Sequence, residues 1–195
     1  GVMRGYEAIS NARYEESNKA SEEMMGSAQE AWFLETMQNT DATWKVWGNE
    51  FPLFRKIVDL STFSVPESFQ QKFLLSMEDW GGVPNKRDEL LTVLGDIENV
   101  VAVTGDVHAF FVSTPHPRED ASRKIVEFVG SSISSGTYEE LLVNTASSDP
   151  DLVAAGAPGL ALLVKDFLFN DVVRPNPDLR YASVQEQGYA LQNEK

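Results

Sequence analysis

The sequence predicts an α/β fold in which helices pack in layers on a sheet, and three observations lead to this expectation. Helical and strand-like patterns alternate along the chain, as they do in layered α/β architectures. The segment Val100–Thr104 is rich in β-branched residues and apolar on both faces, as in a strand that is covered from two sides. With 195 residues and 42% hydrophobic content, the chain is long enough for one domain with a sizeable core.

The first elements follow in order from the N-terminus. Residues 1–24 are polar and predict a separate N-terminal segment without a strand. Ser27–Asn39 predicts a helix, because Ser27 and Glu30 have the spacing of a capping box. Residues 43–51 alternate in bulk and predict a strand. Residues 51–80 predict a long functional loop that contains one short helix near its end.

The middle of the chain predicts a helix and two strands. The helix covers residues 86–94, with Asn85 as its N-cap and Gly95 just after its end. The strand Val100–Thr104 follows directly, and residues 124–129 predict a further strand.

The C-terminal part predicts a broken helical region and a last strand. The helical region covers residues 150–170, with Asp149 as its cap and Pro150 in its first turn. The strand is expected near Gly188 and Tyr189.

Charge and composition exclude several classes of function. The formal net charge of −14 repels phosphate backbones, so nucleic acid is not an expected partner. The chain has no cysteine, which excludes disulfides and thiolate metal sites. No signal peptide is visible at Gly1, and the longest apolar run, residues 152–164, is too short to cross a membrane.

Candidate metal ligands follow the strand Val100–Thr104. Gly105 is expected to release the backbone, and Asp106 and His108 come next, two residues apart. In an extended segment this spacing places both side chains on the same side. A carboxylate oxygen and an imidazole nitrogen at a strand end are suitable ligands for a metal cation. The alternative interpretation is a solvated turn with a hydrogen-bonded histidine.

Six segments occur in the order found in one known family. They are Met-Gly-Ser-Ala-Gln-Glu-Ala-Trp at 25–32, Thr-Trp-Lys-Val-Trp-Gly-Asn at 43–49, Trp-Gly-Gly-Val-Pro at 80–84, Thr-Gly-Asp-Val-His at 104–108, Glu-Phe-Val-Gly-Ser-Ser at 127–132, and Asn-Pro-Asp-Leu-Arg-Tyr at 176–181. On these segments the chain resembles the C-terminal half of a PhoD-like alkaline phosphatase, a branch of the calcineurin-like metallophosphoesterases.

The resemblance implies a fold, an activity and a cofactor. Residues 25–195 would form the C-terminal half of a catalytic domain, a β-sandwich flanked by helices. The implied activity is hydrolysis of phosphate mono- and diesters at a dinuclear metal centre. Iron and calcium are the implied ions, with other divalent ions as alternatives. Asp106 would bind one metal and His108 the other. The resemblance also implies a periplasmic or secreted protein.

Four further residues are candidates for lining this site, and the sequence assigns no catalytic acid or base. Asn49 follows a predicted strand, and its side-chain oxygen is one candidate, the alternative being a turn residue bound to its own backbone. Arg87 suits bidentate contact with phosphate, although a salt bridge to a neighbouring carboxylate is an equal alternative. Ser131 and Ser132 are candidates because they follow a strand.

A dinuclear centre needs more ligands than this chain offers. The family's earlier ligands have no counterpart before Asp106, so we expect a half-site that is completed by an N-terminal half of the same protein. One rival hypothesis is a non-catalytic interaction module that retains the scaffold, and another is a protein that binds calcium loosely at its acidic surface. A serine hydrolase is disfavoured, because the G-x-S-x-G spacing is absent and His116 lies in a polar loop.

Overall fold

The computed structural model describes residues 4–5, 24–170 and 172–191. Of the predicted N-terminal segment at 1–24, the structure describes residues 4–5 and 24. Arg4–Gly5 forms a short strand, so the expectation of a segment without a strand is wrong at these residues. The described chain is mixed α/β, with a five-stranded mixed sheet flanked by helices and a second sheet of three strands. The predicted fold class is therefore confirmed.

The elements are numbered in chain order. The strands are β1 (Arg4–Gly5), β2 (Lys45–Asn49), β3 (Ile57–Asp59), β4 (Lys72–Leu74), β5 (Val100–Thr104), β6 (Phe110–Ser113), β7 (Val126–Val129) and β8 (Leu179–Ser183). The helices are α1 (Ser27–Asn39), α2 (Pro84–Leu94), α3 (Tyr138–Ser148), α4 (Pro150–Ala154), α5 (Ala157–Ala161) and α6 (Val164–Leu168). Short 3₁₀ turns cover Glu67–Phe69 and Trp80–Gly82.

The predicted helices are present, but two of their caps differ. Helix α1 has the predicted bounds, yet its N-cap is Gly26 and no side chain caps it. Helix α2 begins at Pro84, before the predicted cap Asn85, because proline suits the first turn of a helix. The broken helical region is confirmed as α4, α5 and α6, and the Asp149 side chain accepts hydrogen bonds from the first amides of α4.

One helix prediction and two strand predictions need correction. The short helix expected within residues 69–77 is the antiparallel strand β4, which pairs with β3. The last strand is β8, earlier in the chain than the expected position near Gly188 and Tyr189. Strand β5 is covered on both faces except at Val103, which is 49% exposed, whereas Val101 on the same face is buried. Val103 is open because the helices of the two core clusters pack on the opposite face of the sheet.

The strand order of the large sheet is β2-β5-β7-β6-β8. Strands β2, β5 and β7 are parallel, so their carboxyl ends lie at one edge, with Asn49 paired to Thr104 and Thr104 to Val129. Strand β6 pairs with β7 and not with β5, so the loop between β5 and β6 must pass over the end of β7. This crossing places Asp106 and His108 at the carboxyl edge of the parallel strands.

One face of the large sheet carries the core, which has two parts. Helices α1 and α2 cover β2 and β5 through Phe33, Met37, Leu90, Leu91 and Leu94. The small sheet and helix α6 cover the other half through Val58, Phe73, Val164, Phe167 and Leu168. Each cluster buries apolar side chains from several distant segments, which is the main source of stability for such a fold.

The opposite face of the large sheet is apolar and partly open. Val46 is 64% exposed and Val103 is 49% exposed. Val126 and Tyr181 are also exposed, and the strand register places them on this same face. An open apolar face across several strands is typical of a surface that packs against another layer. Within the described part of the chain, no helix combines the length and the apolar character that a membrane crossing requires.

Candidate active site

The loop after β5 is a tight turn rather than an extended segment. Asp106 has φ 69° and His108 has φ 57°, so both lie in the left-handed region. The predicted extended geometry is therefore wrong, and the unusual backbone falls on the two candidate ligands rather than on Gly105. A non-glycine residue pays a conformational cost in this region, and such strain concentrates at functional sites. The Val107 amide donates to the Gly105 carbonyl at 2.9 Å, which tightens the turn.

His108 is oriented by the loop that follows β7. Its Nδ1 lies 2.7 Å from the Gly136 carbonyl oxygen, and its own carbonyl accepts a hydrogen bond from the Tyr138 amide at 3.0 Å. A carbonyl can only accept, so Nδ1 carries the proton of this hydrogen bond. In the neutral ring, Nε2 then keeps its lone pair. This is the arrangement by which proteins orient a metal-binding imidazole.

Asp106 is exposed and lies at a cavity of about 280 Å³. The Asp106 carboxylate has no hydrogen-bond or ion-pair partner among the described residues. The cavity wall also carries Lys56, Asp79 and Tyr138. Lys56 and Asp79 form a buried ion pair, and burial raises the pKa of the Tyr138 phenol, with the Asp79 charge as a smaller cause. Asp106 is thus a free acceptor at the mouth of a partly polar cavity.

The residues Asp106 and His108 fit a hard or borderline cation by their chemistry. An unpaired carboxylate and a pre-oriented imidazole nitrogen are both ordinary metal ligands. Within residues 24–170 and 172–191, however, no group of three or more histidine, aspartate or glutamate side chains is placed to hold a metal ion. Further ligands would have to come from elsewhere.

Asn49 belongs to a buried hydrogen-bond network below the loop. Its Oδ1 accepts from Trp80 Nε1 at 3.0 Å, and its Nδ2 donates to the Thr104 hydroxyl at 3.2 Å and to the Phe51 carbonyl. The contact with Phe51 matches the alternative interpretation of a turn asparagine. The Asn49 side-chain oxygen, one of the candidates for lining the site, accepts its hydrogen bond from Trp80.

Glu127 lies at the centre of that network and was not singled out from the sequence. One carboxylate oxygen accepts from the Leu53 amide at 2.8 Å and the Thr104 hydroxyl at 3.0 Å. The other accepts from the Phe54 amide at 3.3 Å and the Ser113 hydroxyl at 2.8 Å. Burial raises the pKa of Glu127, although the four donors oppose that shift. The network joins strands β2, β5, β7 and β6 to the segment after β2.

Arg87 lies in the protein interior. The side chain is 1% exposed, and it donates to the Leu53 carbonyl and to the His116 carbonyl. Its guanidinium also contacts Asp88 at 3.1 Å and Asp178 at 3.5 Å. This position matches the salt-bridge alternative, and Arg87 is not part of the wall of the Asp106 cavity.

Ser131 and Ser132 lie in the loop after β7. The Ser131 hydroxyl donates to the Glu186 carbonyl at 2.8 Å, and the Ser132 hydroxyl donates to the Ser135 carbonyl at 3.0 Å. Both contacts shape the loop whose Gly136 carbonyl holds His108. Their observed role is therefore to support the backbone around His108.

Comparison with known proteins identifies the family of this chain. The family model of PhoD-like phosphatases matches residues 3–193. The chain belongs to the PhoD-like phosphatase family. Alkaline phosphatase D of Bacillus subtilis (strain 168) is 32% identical over 127 residues, which cover 63% of this chain. A solved structure described as the structure of PhoD covers 85% of this chain with a TM-score of 0.55 and 24% identity, a likeness that shows the fold.

The matches cover only a small part of these PhoD-like relatives. The chain covers 20% of the length of the Bacillus subtilis protein and 26% of the chain in the solved structure. Most of each relative therefore lies outside the region that corresponds to this chain.

Three features around the site have signals in the sequence. A glutamate in the middle of the apolar run Val126–Val129 is unusual and indicates a buried hydrogen-bonded carboxylate. The spacing of Thr137 and Glu140 predicts a capping box, and the structure has both of its hydrogen bonds at the start of α3. Lys56, within the apolar segment before β3, was a third available signal.

Proposed function

We propose that this chain is part of a metal-dependent phosphatase that hydrolyses phosphate mono- or diesters. In this proposal Asp106 and His108 are ligands of a dinuclear centre. The observation that carries the proposal is the turn after β5, in which a free carboxylate and an oriented imidazole lie at the carboxyl edge of parallel strands. Family membership supports the reaction class.

The role of the chain's own residues follows from their contacts. The Gly136 carbonyl holds the Nδ1 proton of His108 and so directs Nε2 away from that loop. The buried carboxylate of Glu127 fixes Thr104, the last residue before the turn. A pair of bound cations would neutralise phosphate charge and lower the pKa of a bound water. Iron and calcium are the proposed ions, and the periplasm or the cell exterior is the proposed location, both from the family resemblance.

The remaining ligands are proposed to come from another part of the same protein. Two candidate ligands in the described residues are too few for two metals. The open apolar face with Val46 and Val103 supports this step, because a second layer packed there would complete a sandwich. The small share of the relatives' length that the chain covers agrees with it.

Steady-state kinetics on the complete product of the gene that encodes this chain test the proposal. The substrate is a chromogenic phosphodiester, with iron and calcium supplied. Asp106→Ala and His108→Ala are each expected to lower kcat/KM by about 100-fold or more, because a metal ligand supports several kcal/mol of transition-state stabilisation. Asp96→Ala is the matched control, since Asp96 is exposed and pairs only loosely with Arg123 at 3.3 Å.

Three outcomes decide between the hypotheses. Unchanged kcat/KM in Asp106→Ala and His108→Ala would contradict the assignment of these ligands. Absence of both turnover and bound metal in the unmodified protein would favour the non-catalytic module. Turnover by the 195-residue chain alone, abolished by Asp106→Ala, would support the site and contradict the half-site interpretation.

A further inference from the structure

A second cavity, of about 490 Å³, lies between the small sheet and the C-terminal helices. Its wall is largely apolar and includes Val58 of β3, Leu160 of α5 and Phe167 of α6. Ligand pockets for small molecules have volumes of about 300–1,000 Å³ and predominantly apolar walls. The cavity therefore has the size and lining of a binding site. None of the candidate residues of the metal site lies on its wall.

The polar side chains on this wall already have partners. The Thr145 hydroxyl donates to the Leu141 carbonyl at 2.8 Å, and the Ser148 hydroxyl donates to the Thr145 carbonyl at 2.8 Å. The Asp149 Oδ1 accepts from the first amides of α4 at 2.9 and 3.3 Å. Because these groups are engaged within the helix ends, the cavity offers a guest mainly apolar contact.

This apolar cavity shares a wall with the Asp106 cavity. Leu75, Leu142 and Thr145 line both spaces. Apolar side chains form most of both walls, but the charged groups Lys56, Asp79 and Asp106 lie on the wall of the first cavity. A molecule with a charged end at Asp106 and an apolar end beyond Leu142 would therefore occupy two adjoining spaces, of which only the first offers this cluster of charged groups. A phosphate ester of an apolar alcohol has this shape and polarity.

We propose that the apolar cavity binds the alcohol portion of the substrate, and that the substrate is a phosphate ester of an apolar alcohol, aromatic or aliphatic. The proposal rests on the proposed phosphatase function. The volume of the cavity supports this assignment, since an engineered apolar cavity of about 150 Å³ binds benzene. The larger cavity here accommodates a two-ring aromatic group such as naphthyl.

Calorimetric titration of the complete gene product tests the proposal with three probes, 1-naphthol, 1-naphthyl phosphate and inorganic phosphate, with iron and calcium supplied. Ala161 lines the cavity and is half-buried, so Ala161→Trp fills part of the space. Leu162→Trp is the matched control, because Leu162 is 56% exposed and lies outside the cavity wall. Ala161→Trp is expected to weaken binding of both naphthyl compounds about tenfold or more and to leave phosphate binding unchanged.

The outcomes separate this proposal from the phosphatase proposal. Equal affinity of Ala161→Trp and Leu162→Trp for 1-naphthol would overturn the cavity assignment. Absence of 1-naphthol binding to the unmodified protein would also overturn it, and this result is expected if another part of the protein fills the cavity. Naphthyl phosphate that binds no more tightly than the better of its two parts would overturn the link to Asp106. If Ala161→Trp does not fold, Leu152→Gln, at the same wall, decides by the same criteria. If Asp106→Ala retained both 1-naphthol binding and full activity, the metal-site proposal would be contradicted and the cavity assignment would stand.

Discussion

Replacing Glu127 by glutamine tests the buried network beneath the site. The carboxylate accepts four hydrogen bonds, from the amides of Leu53 and Phe54 and from the hydroxyls of Thr104 and Ser113. Glutamine keeps the shape but replaces one acceptor oxygen with an NH₂ donor. In one orientation the NH₂ group faces the Leu53 amide and the Thr104 hydroxyl. In the other orientation it faces the Phe54 amide and the Ser113 hydroxyl.

The cost of the substitution follows from this geometry. A hydroxyl can rotate and accept from the new NH₂ group, whereas a backbone N–H cannot accept. In either orientation one buried amide of the segment after β2 loses its acceptor. An unsatisfied buried donor costs about 1–3 kcal/mol, so Glu127→Gln is expected to lower the free energy of unfolding by about 2 kcal/mol at pH near 5.

The pH dependence has a definite sign. Burial raises the pKa of Glu127 above its reference value of 4.5, so the folded protein holds this proton more tightly than the unfolded chain does. The stability contributed by this group is therefore full below pH 4.5 and is lost as the pH rises through the folded pKa. Glutamine does not titrate. The difference in unfolding free energy between the parent and Glu127→Gln is thus expected to narrow as the pH rises.

Urea unfolding followed by tryptophan fluorescence measures this difference, since Trp47 and Trp80 are buried. Glu98→Gln is the control, because Glu98 is exposed, and it is expected to change stability by less than about 0.5 kcal/mol. If Glu127→Gln were as stable as Glu98→Gln at pH 5, or if the difference widened with pH, the role assigned to the buried carboxylate would be wrong.

Three other substitutions test the packing by the same unfolding measurement. Gly82→Ala would place a Cβ 1.9 Å from a backbone oxygen, so the free energy of unfolding is expected to fall by about 3 kcal/mol. Its control is Gly159→Ala in α5, where the new Cβ meets open space and the substitution is expected to be neutral or slightly stabilising. Lys56→Met removes one partner of a buried ion pair and is expected to cost about 3–5 kcal/mol, and a cost below about 1 kcal/mol would contradict a buried pair with Asp79. Val103→Glu on the open face is expected to change the unfolding free energy of the isolated chain by less than about 0.5 kcal/mol. The same substitution is expected to lower the unfolding free energy of the complete protein by several kcal/mol, because it would bury a charge under the covering layer. Equal effects in the two proteins would contradict a covering layer.

Local signals were sufficient for much of the fold. Asp149 and Pro150 predict the start of α4, and the structure places both in these roles. Strands β3 and β4 were missed because their stability comes from pairing between Ile57 and Leu74, which neither segment indicates alone. The polar and aromatic composition of residues 51–80 instead suggested a loop.

The position of the two candidate ligands at a strand end was predictable from the sequence, but their backbone geometry was not. The β-branched run before Asp106 and His108 indicated that both residues follow the end of a strand, whereas the extended backbone expected for them is wrong. Their left-handed backbone was not predictable, because neither residue is glycine and the conformation depends on contacts made later in the chain. The Gly136 carbonyl that orients His108 is one such contact, and it lies 28 residues away. The partners of Glu127 are non-local in the same way.

The most direct test of the proposed metal site is anomalous diffraction from crystals of the complete protein grown with iron and calcium. A peak is predicted about 2.0–2.6 Å from a carboxylate oxygen of Asp106, and a second at about 2.0–2.2 Å from Nε2 of His108. Well-ordered crystals of metal-loaded, active protein in which neither side chain approaches an anomalous peak would contradict the account.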